Sequence, residues 1–67
     1  MSDQDVFDAL KYRIEVDARG TRWYYNSAGQ LHRDEGPAVE CTNGYKRWFI
    51  HGVEMTEADF NQAVTAL

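Results

Sequence analysis

Glycines at regular intervals divide most of this chain into short segments. They stand at positions 20, 29, 36, 44 and 52, so that each glycine follows the previous one at an interval of 7 to 9 positions. Most of the segments between them are rich in residues that favour β-strands. Turn signals at this spacing, between β-prone segments, predict an antiparallel meander in which consecutive strands pair.

Alternation and β-propensity place four strands between these turns. In the first strand Tyr12, Ile14 and Val16 alternate with charged residues, which is typical of a half-buried strand. The dipeptide Asn43-Gly44 predicts a two-residue type I′ hairpin turn, and the polar segment Leu31–Pro37 predicts an ordered loop. We predict strands over Leu10–Asp17, Thr21–Tyr25, Ala38–Thr42 and Tyr45–Ile50.

The hydrophobic period changes after the last glycine. The run from Thr56 to Asp59 is similar to a capping box, and apolar residues follow at helical spacing: Phe60, Ala63, Val64 and Leu67. We predict a helix from Glu57 to Ala66. Residues 1–9 are either a short helix capped by Ser2 or a frayed tail. The predicted fold is α+β: a single domain, 1–67, with a small antiparallel β-sheet of about four strands and a C-terminal helix packed on one face.

A chain of 67 residues buries only about 60% of its unfolded surface, so small domains usually need a disulfide, a metal or self-association. The single Cys41 excludes an internal disulfide, and His32 and His51 form no zinc-binding pattern with it. A well-packed core, rich in the nine aromatic residues, or a homodimer therefore remains. The sequence predicts no membrane segment and no secretory signal, and the unpaired cysteine favours a reducing cytosol.

No constellation of residues predicts catalysis or a cofactor. The tripeptide from His32 to Asp34 spells a kinase catalytic loop by chance, because the other kinase motifs are missing. Cys41 lies in a predicted strand and is expected to be a small buried side chain. We expect Arg33 to pair with Asp34 or Glu35 or to cap carbonyls, and His32 to hydrogen-bond the loop backbone; partner binding is the alternative.

Two segments of the chain are similar to each other, since Trp23 and Trp48 each follow a glycine and precede β-prone residues and a turn. The first segment resembles the repeat G-x-x-x-W-Y-x-N-G-x-x-H-R-x-D-G-P-A-V of small bacteriophage and prophage proteins. Glu35 replaces the usual aspartate, and Ser27-Ala28 lengthens the turn. Over residues 20–55 this resemblance implies a phage origin and a β-rich repeat, and it implies no established activity. The matching residues are Gly20, Trp23, Tyr24, Asn26, Gly29, Leu31, His32, Arg33, Gly36, Pro37, Ala38 and Val39.

A four-stranded sheet with one helix cannot bury both faces of every strand, so some of Tyr24, Tyr45 and Phe49 should be exposed or covered by a partner. Exposed aromatic residues beside arginines are typical of protein interfaces. With a net charge of −4, the chain is expected to bind a basic surface. The predicted partner-binding residues are Arg22, Tyr24, His32, Arg33, Asp34, Glu35, Tyr45 and Phe49.

Together with the phage resemblance, these features suggest an inhibitor of a bacterial defence complex, similar to an anti-CRISPR protein. Its electrostatics would come from the acids Asp3, Asp5, Asp8, Asp34, Glu35, Glu40, Glu54, Glu57 and Asp59. The alternative function is single-stranded nucleic-acid binding, because basic and aromatic residues alternate between positions 11 and 25. The net negative charge disfavours that alternative.

Overall fold

The computed structural model of this chain describes residues 10–65, so the helix or tail expected over residues 1–9 lies outside the described part. Leu10 and Lys11 have helical backbone, and the first strand begins at Arg13 rather than at Leu10. The elements are β1 (Arg13–Val16), β2 (Arg22–Tyr25), β3 (Val39–Glu40), β4 (Lys46–Ile50), β5 (Val53–Met55) and α1 (Glu57–Thr65).

The strands form one antiparallel meander in the order β1-β2-β3-β4-β5, with α1 packed against β4 and β5. This α+β arrangement confirms the predicted fold class. The sheet has five strands where about four were expected, because Val53–Met55 turns back along β4 before the helix begins. Among the helical segments within residues 10–65, each is too short or too polar to cross a lipid bilayer.

Three of the turns share one geometry. Asp17, Asn26 and Cys41 each open a turn in which their carbonyl accepts a bond from the N–H of a glycine three residues later, at 3.0 Å in all three. That glycine has positive φ, which is the geometry of a type I turn followed by a glycine bulge. Asp17 Oδ1 and Asn26 Oδ1 each accept two further backbone N–H groups, so the first two turns are also held by side chains.

The type I′ turn lies at a different position from the one predicted. Asn43 does not have the positive φ that such a turn requires, so the prediction at Asn43-Gly44 is wrong. His51 and Gly52 have φ values of 50° and 81°, and they connect Ile50 to its partner Val53. A two-residue loop with both φ values positive is the type I′ geometry, and it explains the tight reversal into β5.

The chain leaves the sheet and returns to it between β2 and β3. Tyr24 accepts a bond from His32 N–H and donates one to the carbonyl of Ala38, both at 2.9 Å. The backbone therefore leaves the sheet after His32 and returns to it at Ala38. Residues 33–37 form a loop whose two ends are both fixed to the same residue of β2.

Both faces of the sheet contain buried side chains. Because residues directly opposite each other on paired strands share a face, Trp23, Val39 and Arg47 lie on one side. Val39 and Phe49 of that side form a buried cluster with Ala38, against which three half-buried side chains pack: Trp23, Leu31 and Cys41. Tyr24 is buried on the other side, beneath the side chain of Arg33.

The helix α1 begins as the sequence predicts. Thr56 Oγ1 accepts the N–H of Asp59 at 3.1 Å, which caps the first turn. Glu57 and Asp59 lie in that turn, where their charges interact favourably with the helix dipole. Phe60 is the buried residue of the helix, so its ring attaches α1 to the rest of the domain.

Candidate functional site

His32 occupies a buried position at the start of the loop. Its Nδ1 accepts the backbone N–H of His51 at 2.8 Å, and its Nε2 lies 3.0 Å from Asp34 Oδ1. Because Nδ1 accepts a hydrogen bond, the proton of the neutral ring is on Nε2 and points to Asp34. The ring also packs 4.5 Å from that of His51, so His32 fastens the loop to the turn between β4 and β5.

Arg33 is buried with its guanidinium across the ring of Tyr24, at 4.1 Å from the ring centroid. It donates to the carbonyl of Pro37 at 3.2 Å and pairs with Glu40 at 2.9 Å. The bond to Pro37 agrees with the expectation that Arg33 caps a loop carbonyl. The arginine therefore closes the loop on itself and fixes it to β3, and a buried charge is tolerated because it is paired.

Tyr12 connects the loop to the beginning of β1. Its hydroxyl donates to Glu35 Oε2 at 2.6 Å and accepts the backbone N–H of Asp34 at 3.0 Å. Lys11 Nζ reaches the same two acids, at 2.8 Å from Glu35 and 3.1 Å from Asp34. We call the linked side chains of Lys11, Tyr12, His32, Arg33, Asp34, Glu35 and Glu40 the loop network.

The pKa values of three groups in the loop network shift for identifiable reasons. Burial, followed by the hydrogen bond to Glu35, raises the pKa of Tyr12 to about 12. Burial alone would raise the pKa of Glu35, but the bonds from Lys11 and Tyr12 outweigh it, so that pKa is lowered. The bond to Glu35 raises the pKa of Lys11 above its usual range, against the opposing effect of burial. Lys11 and Glu35 are therefore both ionised at neutral pH.

Some of Tyr24, Tyr45 and Phe49 were expected to be exposed or covered by a partner. Tyr45 is exposed, whereas Tyr24 and Phe49 are buried, at only 1% and 7% exposure, so neither of these two is an outward-facing anchor. The loop covers one side of the sheet and the apolar cluster lies on the other, so the two aromatics are buried on opposite faces. His32 and Arg33, also predicted as partner-binding residues, are buried too, since they are only 6% and 8% exposed.

Other predicted contact residues are accessible. Tyr45 is 59% exposed at the end of the turn before β4, and Arg22 and Glu35 are exposed as well. Asp34 is half-buried within the loop network. Arg22 lies opposite Glu40 in the register of β2 and β3, on the same side of the sheet as Tyr24.

One side of the sheet brings arginine and aromatic side chains together. The Arg13 guanidinium lies 4.7 Å from the ring centroid of Tyr25, and that of Arg47 lies 5.2 Å from Phe49. Strand register places Trp23 and Val39 between these two stacks. We call this surface the arginine–aromatic face, and it comprises Arg13, Trp23, Tyr25, Tyr45, Arg47 and Phe49.

Acidic side chains hold both arginines of this face. Glu54 accepts two bonds from Arg47, at 2.7 and 3.0 Å, and Glu15 lies 3.8 Å from Arg13. The bond to Glu54 raises the pKa of Arg47, and the bond from Arg47 lowers the pKa of Glu54. Sequence reasoning did not find this pair. The hairpin between β4 and β5 could have indicated it, because it sets Glu54 opposite Phe49 and thus diagonally across from Arg47 on the same side of the sheet.

The acids predicted to attract a basic partner divide into three groups. Four of them are paired with bases of the same chain: Asp34, Glu35, Glu40 and Glu54. Glu57 and Asp59 stand exposed in the first turn of α1. Asp3, Asp5 and Asp8 lie outside the described residues. Within residues 10–65, Glu57 and Asp59 are therefore the acids of this set that remain available to a basic partner.

Cys41 was expected to be a small buried side chain within a strand. It packs against the apolar cluster but is only half-buried, and it opens the turn after β3. Among residues 10–65, no group of three or more histidine, cysteine or acidic side chains is arranged to hold a metal ion. No family model, no curated protein and no solved structure matches this chain.

Proposed function

We propose that this chain is a non-enzymatic protein-binding module that uses the arginine–aromatic face to contact its target. The observation that carries the proposal is the presence of two preformed arginine–aromatic stacks on one side of the sheet, together with Tyr45, which lies two residues before Arg47 and is 59% exposed. Tryptophan, tyrosine and arginine are the residues that dominate the energetics of protein interfaces.

The face is preformed, and apart from Phe49, which is buried beneath Arg47, its side chains are accessible. The side chains of Arg13 and Arg47 are 63% and 42% exposed, while Trp23 and Tyr25 are half-buried. Glu54 and the ring of Phe49 already restrict the Arg47 side chain from two directions. Little conformational entropy is therefore lost when a partner covers Arg47, and preorganisation of this kind increases affinity.

In its most specific form, the proposal is a phage-encoded inhibitor of a bacterial defence complex, similar to an anti-CRISPR protein and active in the host cytosol. Its target would offer a basic surface, because the chain carries a net charge of −4. The exposed acids Asp17, Glu57 and Asp59 accelerate the approach to such a surface, and the aromatic residues then provide the contact.

Single-stranded nucleic acid is the competing ligand for the same face, because bases can stack on exposed aromatic rings. The carboxylates of Glu15 and Glu54 argue against it, since they pair with Arg13 and Arg47 and would repel phosphates. A gel-shift titration at low salt distinguishes the two ligands. A complex that weakens steeply as salt increases would support nucleic-acid binding and contradict the proposal.

The proposal is tested by expressing the chain in bacteria that carry a panel of defence systems and measuring phage plating. We expect restored plating against one system, loss of the effect in Tyr45→Ala, and an unchanged effect in Val53→Ala. Val53 is a suitable control because it is 61% exposed on the opposite side of the sheet. Thermal denaturation of both variants confirms that they fold.

Two results would contradict the proposal at different levels. If Tyr45→Ala and Arg47→Ala both restore plating fully, the arginine–aromatic face is not the contact surface. If no system in a broad panel is inhibited, the chain is not an inhibitor of bacterial defence. A photo-crosslinking residue placed at position 45 then identifies whether a basic protein is bound for another purpose.

A further inference from the structure

The outer edge of β1 presents backbone groups for pairing. β1 is the first strand of the sheet, and within residues 10–65 its only strand partner is β2. The N–H and C=O of Tyr24 bond away from β1, toward Ala38 and His32. Hydrogen-bonded pairs alternate along an antiparallel ladder, so the backbone groups of Glu15 and Arg13 bond to their partners Trp23 and Tyr25 in β2. The backbone N–H and C=O groups of Ile14 and Val16 therefore point outward, away from β2.

We propose that two copies of this chain form a symmetric dimer by antiparallel pairing of their β1 strands, with the two-fold axis passing beside Ile14. Each Ile14 would exchange both backbone hydrogen bonds with Ile14 of the second copy, and Val16 would pair with Tyr12 of the second copy. The two sheets would then become one sheet of ten strands. This inference does not depend on the proposed function.

The charge pattern of β1 selects this register. With the axis beside Ile14, Arg13 of each copy stands opposite Glu15 of the other, in a pair without backbone hydrogen bonds, where side chains are closest. A shift of one hydrogen-bonded step in either direction would place Glu15 opposite Glu15 or Arg13 opposite Arg13. Like charges in directly opposite positions destabilise strand pairing, so one register is favoured.

The exposure of the side chains is consistent with this partner. Arg13 and Glu15 are 63% and 55% exposed and lie 3.8 Å apart within one chain, so they can exchange partners without leaving a buried charge. Val16 is 57% exposed at the end of β1, and Leu10, just before the strand, is 85% exposed. The two-fold axis brings Val16 of one copy toward the segment before β1 of the other. Val16 of the first copy and Leu10 of the second then lose contact with water.

The other edge of the sheet is less suited to symmetric pairing. β5 has three residues, and a two-fold axis at its centre would place Glu54 opposite Glu54. Glu54 is also held by Arg47, and β5 is in contact with α1. The second copy is therefore assigned to β1.

Sedimentation across a range of protein concentrations, at low salt, tests the proposal with a pair of charge reversals. Arg13→Glu gives two acids in each β1 strand, and Glu15→Arg gives two bases. We expect each variant alone to dimerise at least about tenfold more weakly, a factor that corresponds to ~1.4 kcal/mol. An equimolar mixture of the two variants should recover a dimer, because each acid then stands opposite a base of the other chain.

Arg19→Glu is the matched control, because Arg19 is an exposed turn residue and the change in net charge is the same as for Arg13→Glu. It should leave the dimer within about twofold of the original affinity. Three results would overturn the inference: an original chain that sediments as a monomer at millimolar concentration, reversals that leave the dimer unchanged, or a mixture no more associated than its components. Recovery in the mixture also shows that both variants are folded.

Discussion

Tyr12→Phe removes one hydroxyl from the loop network and tests how strongly that network stabilises the fold. The hydroxyl donates to Glu35 at 2.6 Å and accepts from the Asp34 N–H at 3.0 Å, and the residue is 6% exposed. A hydrogen bond to a charged group contributes about 1.5–3 kcal/mol. Water reaches part of the Glu35 carboxylate, whose side chain is 27% exposed, and this offsets some of the loss.

We therefore expect Tyr12→Phe to lower the free energy of unfolding by about 2–3 kcal/mol at neutral pH. A domain of this size has a total stability of roughly 3–10 kcal/mol, so the loss is a large share of it. The melting temperature should fall by roughly 10–20 °C. Urea denaturation followed by circular dichroism measures the effect, and Tyr45→Phe is the control, with an expected change within about 0.5 kcal/mol.

The pH dependence provides a second measurement on the same variant. The pKa of Tyr12 rises from 10.0 to about 12 on folding, so the folded state holds this proton more tightly than the unfolded state. The resulting stability is complete below pH 10 and is lost as the pH rises toward 12, by about 2–3 kcal/mol. Tyr12→Phe should show a shallower decline in this window. A variant as stable as the unmodified chain, or an equal decline of both in this window, would contradict a stabilising role for the Tyr12 hydroxyl.

Three further predictions concern the turns, the helix and the stability of the fold at low pH. Gly20 and Gly29 both have positive φ, but a Cβ at Gly20 would lie 2.8 Å from Thr42 Cγ2, whereas none lies within 4 Å at Gly29. Gly29→Ala should therefore cost about 1–2 kcal/mol of stability and Gly20→Ala clearly more; equal losses in urea denaturation would contradict the clash. Phe60→Ala should cost roughly 3–5 kcal/mol and abolish most cooperative thermal unfolding, while Phe60→Leu should retain it; an unchanged melt of the alanine variant would show that the ring does not anchor α1. The lowered pKa of Glu35 means that its stabilisation is present above pH 4.5 and is lost as the pH falls through the folded value, so Glu35→Gln should flatten acid denaturation. If stability falls with decreasing pH as steeply in that variant as in the unmodified chain, Glu35 does not contribute to the acid sensitivity of the fold.

Local patterns predicted most of the sheet and the helix. The glycine spacing and the alternation in β1 depend only on neighbouring residues, and the capping threonine precedes its helix directly. β5 was missed because three residues carry too little alternation, and the helix cap at Thr56 follows them at once. The type I′ turn was placed at Asn43-Gly44 because asparagine tolerates positive φ well, whereas the structure uses His51.

The candidate site was less predictable, because its contacts join distant parts of the chain. Tyr12 and Glu35 are 23 residues apart, and His51 bonds a ring 19 residues before it. Alternation along β2 sets Trp23 and Tyr24 on opposite faces of the sheet, but alternation alone does not show that both faces are covered. Tyr24 is covered because Arg33, in the loop of residues 33–37, lies across its ring, and the position of this loop depends on the complete loop network.

Side chains of the loop network hold the loop to the sheet. Two backbone amides report on this attachment directly, because their acceptors are side chains: Asp34 N–H bonds to the Tyr12 hydroxyl, and His51 N–H bonds to His32 Nδ1. Amide hydrogen exchange measured by NMR should show both amides protected nearly as well as Tyr24 in the sheet, with Asp34 losing protection in Tyr12→Phe. Exchange of both amides at the rate of an exposed loop would contradict the claim.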